Sequence, residues 1–496
     1  MKKLALILGV TVLCGHAFAQ DAKTVIADAQ RALGGANSIT YSGSAHSVAF
    51  QQCGGSAYAL ICYGTHDPMQ PIASYVRVID LAAPLSRHTG STMNFLGGGG
   101  GTTPGAGTFF QQVTAEQARG QNWNQALELY ITPWGFLKGA ADNNATAARK
   151  KVDGKDFTVL TWSPAAKAPS GKAYMVNGYV NGENLVERVE TWVGENIMGD
   201  MHVVADYSGY RKFGNAVAPT RIVQTRGGWP FFEADINAAT ANPSNLASLA
   251  PQPPPPPGAG GGGGGPPGGQ PAALTVTKED LGQGAWRYTT GGGSYDSVVV
   301  EFNNYVMMLE AGQSQARAQA YVDEIKKQFP NKPIRYVVNT HPHSDHTGGL
   351  PVLVAEGATL VAQENSREFF ERALNTPRTL LDDVLAKNPK RLKIETFADK
   401  KVYTDGTQTV ELYHIFPAPH SNALLVAYLP RNKVLFQGDF SVNPAQGGGM
   451  QPANEHVRAL VPALEKLGID YNRYINVHAS AAAQTKADVT ASMNAR

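Results

Sequence analysis

Apolar positions at the start of the chain follow one period and then switch to another. In KTVIADAQRALGG, Val25, Ile26, Ala29 and Leu33 recur at three- and four-residue spacing, which predicts a helix that stops at Gly34-Gly35. From there to about residue 240 most of the chain reads as strands and turns. KAYMVNGYVNGENLVERVETWV sets two runs rich in Val, Tyr and Trp around Asn181-Gly182, a hairpin signal. A helical insert is predicted within VTAEQARGQNWNQALELYITPWGFLKGA. Beyond residue 273 the pattern alternates. SVVVEFNNYVMMLEAG predicts two strands around Asn303-Asn304, and SQARAQAYVDEIKKQF a helix with Ala318, Val322, Ile325 and Phe329 on one face and Ser314 as its N-cap. IRYVVNTH, TVELYHIFPAPH, NALLVAYLP, KVLFQGD and YINVH read as strands, and NEHVRALVPALEKLGID as a helix between Asn454 and Gly468.

Between these two regimes lies PQPPPPPGAGGGGGGPPGGQPAA, residues 251–273, with almost no side chain able to fill a core. Its proline part is stiff and its glycine part flexible, so it predicts a linker. The division expected is a leader at 1–19, a β-rich unit at 20–250, the linker, and an α/β-layered unit at 274–496. The leader has Lys2 and Lys3, an apolar run from Leu4 to Leu13, and Ala17-Phe18-Ala19 before Gln20, the pattern of a cleaved export signal. A bacterial periplasmic or secreted location is the resulting expectation, with no integral membrane segment once the leader is removed. Cys53 and Cys62 then remain, either as a disulfide or as two separate thiols. The formal charge of the 496-residue chain is +2, which offers no electrostatic case for a nucleic-acid partner. LGGGGGTTPGAG, residues 96–107, lacks the Lys-Ser/Thr ending of a phosphate cradle and reads as a loop. His46, His66, His88 and His202 are scattered and read as surface or satisfied core residues.

The chemistry concentrates in VVNTHPHSDHTGGL. His341, His343, Asp345 and His346 fall within six residues just after a predicted strand. A turn with this spacing aims His341 and His343 at one point and Asp345 and His346 at a second. Neutral imidazoles and a carboxylate suit zinc and similar divalent metals. Gly348 and Gly349 permit a tight exit, and a helix could start there.

The HPHSDH run resembles the H-x-H-x-D-H signature of the metallo-β-lactamase superfamily, and the likeness extends over roughly residues 274–496. PAPHSNALLVAYLP is similar to the segment carrying a third histidine ligand, here His420. VLFQGD resembles the strand whose terminal aspartate bridges two metals, here Asp439. INVHAS resembles the last ligand segment, here His478 between Val477 and Ala479. The resemblance implies a four-layer αββα sandwich with its site between the edges of two sheets. It implies a first metal on His341, His343 and His420, a second on Asp345, His346 and His478, and Asp439 between them. Two zinc ions are the expected cofactors, with iron or manganese as alternatives. More loosely, the first 240 residues resemble the curved-sheet domains of periplasmic lipoprotein carriers, which would mean a hydrophobic groove or a docking module.

These implications converge on an exported dinuclear hydrolase that uses a metal-bridging hydroxide on an ester, lactone, thioester or related bond of a small-molecule substrate. Asp345 would both bind metal and orient the attacking hydroxide. The alternatives are a zinc β-lactamase, a mononuclear iron persulfide dioxygenase, and a ligand- or partner-binding protein with a vestigial metal domain. Asp439 weighs against the first, since the resemblance puts Cys or Ser there in zinc β-lactamases. For proton delivery His414 is a candidate, with a core-facing role as the simpler reading. His456 reads as a solvated residue of a helix's first turn. Substrate-facing walls are expected from the loops near Gly291, Leu381 and Gly448. Oligomeric state is not legible.

Overall fold

The computed structural model describes residues 21–48, 69–92, 107–249, 274–291, 294–445, 447–478 and 483–495. The expected leader, the linker, Cys53, Cys62, His66, Ala479 and all but the last residue of the 96–107 loop lie outside the described residues. Among the described residues no helix is long and apolar enough to cross a membrane.

The first unit begins with the expected helix, Ala22–Ala32, capped by the Asp21 side chain and burying Val25, Ile26 and Ala29. Its C-terminal glycine, Gly34, takes φ +89°, a conformation closed to most side chains. An 11-stranded sheet follows. Its central strands, Ser38–Ser47, Trp229–Ala241, Arg221–Arg226, Gly199–Ser208 and Val186–Glu195, pair antiparallel in that spatial order. Alternation is clean where one face is covered. In Gly199–Ser208, Met201, Val203, Ala205 and Tyr207 are buried and the residues between them are not. The predicted helical insert is three short helices, Ala115–Arg119, Trp123–Tyr130 and Pro133–Asp142, which bury Trp123, Leu127, Phe136 and Leu137. The Asn181-Gly182 hairpin exists, but its turn differs from the expected one. Strands Val176–Val180 and Val186–Glu195 are joined by residues 181–185, and the positive φ falls on Asn184 (+61°), not on Gly182. The Asn181 side chain accepts from Glu183 N and Leu185 N, so a longer turn is held by its own side chain.

The second unit is built on two sheets. A seven-stranded sheet runs from Val276–Gly282 to Lys393–Phe397, and a six-stranded one from Lys400–Thr404 to Gln484–Thr485. Their facing sides form one core, with Val298, Val300, Met307 and Leu309 against Leu412, Leu425, Ala427 and Phe436. The outer side of the first sheet, with Met308 and Val337, is covered by Gln315–Gln328 and Leu350–Glu356. The outer side of the second, with Val426 and Leu435, is covered by Glu455–Lys466. This is the αββα arrangement. It explains the unbroken apolar runs such as VMML: both faces of those strands are buried, so no polar alternation is required.

The two units share no sheet, but one hydrophobic cluster contains residues of both, from Val25 to Ala241 and from Tyr288 to Leu392. At their seam the Trp229 ring lies 5.8 Å from that of Phe369, and the Arg372 guanidinium lies over Trp229 at 4.3 Å. The 376–383 segment, within the loop around Leu381, meets the first unit. Asp200 N donates to Pro377 O at 2.7 Å, and the Asp200 carboxylate accepts from Thr379 N and Leu380 N, each at 2.8 Å.

Candidate metal centre

Every ligand-type residue of the centre stands just beyond a strand, at one end of the two sheets. Ile334–Val338 delivers Asn339, Thr340, His341 and His343. The expected helix after Gly348-Gly349 is Leu350–Glu356, and a separate short helix before it, Ser344–Thr347, carries Asp345 and His346. His420 lies in the connection between Thr409–His414 and Leu425–Leu429. Asp439 follows Val434–Gln437, and His478 follows Arg473–Asn476. The strand ends are tied together by backbone bonds, Leu425 N to Thr340 O at 2.9 Å and Asp296 N to Val477 O at 2.8 Å. Val477 is wholly buried in this tie. Glycine is needed before Asp439: a Cβ on Gly438 would come within 2.9 Å of Thr340 Oγ1 and 3.1 Å of His341 Nδ1.

The seven residues singled out in the sequence converge in two groups. One is His341, His343, His420 and Asp439, the other Asp345, His346 and His478, each with its ligand atoms within 4.8 Å of one another. Asp439 joins them through separate oxygens. Its Oδ2 lies 3.0 Å from His341 Nε2 and 2.5 Å from His420 Nε2, with His343 Nδ1 at 3.9 Å. Its Oδ1 lies 2.5 Å from His478 Nε2 and 3.2 Å from His346 Nε2. Asp345 Oδ2 completes the second group at 3.4 Å from His478 Nε2 and 3.6 Å from His346 Nε2.

The electrostatics favour a cation. His341, His343 and His346 are buried, while Asp345 and His478 keep contact with solvent, so the centre opens on the second group's side. Burial, reinforced by neighbouring imidazoles, pushes His341 and His343 well below the ordinary histidine range, into the neutral form that ligates metal. Burial alone would do the same to His346, but the Asp439 and Asp345 carboxylates outweigh it and hold His346 well above that range. Asp439 is held well below the usual carboxylate range, its burial outweighed by His346, His420 and His341. Five imidazoles around two carboxylates, with Nε2 atoms of different histidines 3.1 Å apart in two places, have more converging lone pairs than protons can bridge. That donor set fits divalent cations with a preference for nitrogen and oxygen ligands.

Behind the ligands stands Glu310, a residue the sequence pattern did not single out. It is fully buried and follows the strand Val306–Leu309 with φ +70°. Its Oε2 accepts from Thr340 Oγ1 at 2.5 Å and Thr340 N at 3.3 Å, and faces His346 Nδ1 at 3.3 Å; its Oε1 accepts from Asn339 Nδ2 at 3.1 Å. A carboxylate behind a ligating histidine fixes the ring's tautomer and direction. The signal was present in MMLEAG, a charge at the end of a buried apolar strand. Tyr295 was also missed. Its ring meets that of His478 edge-on at 4.8 Å, and its φ is +59°. It lies in the TTGGGSYDS loop expected at the rim.

One expectation about the other histidines changes. His456 is not solvated: it is 7% exposed and its ring meets that of His420 edge-on at 5.0 Å. Its helix is capped by Asn454, whose side chain accepts from Val457 N. His414 places Nε2 2.9 Å from Asn422 O and so closes the base of the His420 loop, in keeping with the simpler, structural reading.

Residues 290–467 match the family model of the metallo-beta-lactamase superfamily. The solved structures the chain resembles include a metallo-beta-lactamase from Pontibacter korlensis, 17% identical, covering 44% of this chain and 97% of that one with a TM-score of 0.33. Another is the DIM-1 metallo-beta-lactamase, 19% identical over 44% of this chain and 95% of that one, also at 0.33. Among curated proteins, the 2,4-dinitroanisole O-demethylase subunit alpha of Nocardioides sp. (strain JS1661) is 23% identical over 205 residues. That match takes in 41% of this chain and 58% of the relative.

Proposed function

We propose that this protein is an exported, dinuclear, metal-dependent hydrolase, with zinc as the resident metal and Asp439 as the shared ligand. The observation that carries the reading is the division of Asp439's two oxygens between two ligand groups, each complete with histidines. Divalent cations held there supply Lewis acidity and bring the pKa of water towards neutrality. The chain's own residues do the rest. His341 and His343 form a buried floor, kept neutral by desolvation, and half-buried His420 closes it from the side. Asp345, on the solvent-facing side, is placed to orient an incoming water by accepting its hydrogen bond. Glu310 holds His346, and Tyr295 flanks His478 at the open side. No Ser or Cys nucleophile is called for.

The substrate class is an ester, lactone, thioester or related bond. The carboxylate at position 439 weighs against β-lactams, as the residue-by-residue resemblance implies. The relative described as an O-demethylase of 2,4-dinitroanisole widens the list to aryl methyl ethers.

The test is metal content with turnover. Purified protein is analysed for zinc, iron and manganese, then screened against carboxylic and sulfate esters, lactones, thioesters, phosphodiesters, aryl methyl ethers and β-lactams. The expected result is two equivalents of zinc and hydrolysis that His343→Ala and Asp439→Asn each abolish. Protein that takes up no divalent metal, or turnover unchanged in both variants, overturns the proposal.

A further inference from the structure

The short turn that carries Asp345 and His346 is fastened from behind at three points. Within its own unit, Asn339 Nδ2 donates to His346 O at 3.0 Å, and Gly349 N donates to Gly312 O at 3.0 Å. The third fastening comes from the other unit. Asn196, in the turn between strands Val186–Glu195 and Gly199–Ser208, donates from Nδ2 to Gly348 O at 2.9 Å. Gly348 closes the turn, its N donating to Ser344 O at 3.1 Å, and it lies two residues beyond His346. It also sits against Gln313, whose carbonyl oxygen would be 1.8 Å from any Cβ at that position. The carbonyl of Gly348 therefore has little room to swing without moving the turn.

Asn196 is itself held in register. Gln315 Nε2 donates to Asn196 Oδ1 at 2.6 Å and to Asp383 Oδ2 at 3.0 Å. Arg378 Nη2 donates to Asn196 O at 2.6 Å, and the same guanidinium pairs with Asp383. Glu195 Oε2 accepts from Ile197 N at 2.8 Å and Met198 N at 2.6 Å, which shapes the turn that presents Asn196. The amide is thus oriented at its backbone, its oxygen and its nitrogen, and only the nitrogen reaches the metal-site turn.

We infer that Asn196 is a positioning residue: the N-terminal unit uses it to set the Asp345–His346 turn, and with it the affinity of the second ligand group for its cation. The inference rests on the two-metal reading above. It also assigns the N-terminal unit a part in the centre without any ligand of its own. His341 lies before the turn and His420 and Asp439 come from other strand ends, so within the first group only His343 meets the turn directly, its carbonyl accepting from His346 N and Thr347 N at 3.1 Å.

The test uses the full chain and metal alone. Asn196→Asp is isosteric, keeps an oxygen for Gln315 to donate to, and removes the donor to Gly348 O. Zinc affinity is measured for each equivalent by chelator competition, and cobalt absorption is recorded per equivalent. In the variant the first equivalent should bind within about twofold of wild type. The second should weaken roughly three- to tenfold, the worth of one hydrogen bond to a partly buried carbonyl, with a changed cobalt spectrum for that equivalent only. Asp200→Ala, which loosens the same seam at Thr379 and Leu380, serves as comparison and should leave the second equivalent within about twofold of wild type. A second equivalent unchanged in Asn196→Asp overturns the inference, and so does an equal loss in Asp200→Ala. Wild-type protein that binds a single equivalent overturns the two-metal reading itself, a separate and distinguishable failure.

Discussion

Replacing Glu310 with glutamine keeps the side chain's shape and removes its charge. The amide must put its NH2 where one carboxylate oxygen was. Oε2 serves Thr340 Oγ1, Thr340 N and the His346 ring, whereas Oε1 serves only Asn339 Nδ2. The less costly orientation turns the NH2 towards Asn339, so two donors face each other across the 3.1 Å that the hydrogen bond now spans. One buried hydrogen bond is lost and a buried donor is left without an acceptor, a cost of about 1–3 kcal/mol. The His346 ring exchanges a charged acceptor for a neutral one, which is roughly half as strong. Loss of such support behind a ligating histidine typically weakens metal binding by about 10–100-fold. The expected outcome is a lower unfolding midpoint in metal-free protein together with that loss of zinc affinity, concentrated in the equivalent held by Asp345, His346 and His478. Urea unfolding and chelator competition on the same preparation read both. A variant within about 0.5 kcal/mol and twofold of wild type would refute the claim that Glu310 aims His346.

Asp439→Asn leaves neither ligand group with a shared anion. Because outer partners alone cost about 10–100-fold, turnover should fall by more than about 100-fold, and zinc stoichiometry should drop on metal analysis. His88 is buried and, through burial and the Arg77 guanidinium, its pKa is lowered to about 3. The unfolded chain takes up this proton below an ordinary value of about 6.5, while the folded ring refuses it down to about 3. Stability is therefore unaffected above that ordinary value and declines as pH falls through the interval, by about 2 kcal/mol at pH 5. His88→Gln should shrink the difference between urea unfolding free energies at pH 7 and pH 5 by that amount; an unchanged difference contradicts it. Arg287 Nε lies 2.5 Å from Asp296 Oδ2, and both side chains are almost fully buried. Arg287→Leu should cost about 3–5 kcal/mol by leaving that carboxylate alone, and adding Asp296→Asn should recover most of it in denaturant titrations.

Much of the centre was legible in one dimension because its chemistry is local. His341, His343, Asp345 and His346 stand within six residues, and a turn of that length can only present them close together. Glu310 left a weaker trace, a charge ending an apolar strand, which has no fixed spacing to any ligand. The misreading of His456 has a general cause. Position in a helix's first turn says nothing about which way that turn faces, and here it faces His420.

The sequence by itself determined the periods of the elements, the apolar strands that must be buried on both faces, and the inventory of metal-binding side chains, because these depend on neighbours along the chain. Only the tertiary structure decided that Asp439 turns one oxygen to each ligand group, that Glu310 stands behind His346, and that Asn196 reaches the carbonyl of Gly348. The last two contacts join residues 36 and 152 positions apart. They are set by how the two sheets close on each other and by how the first unit seats against the second, and no periodicity along the chain records either.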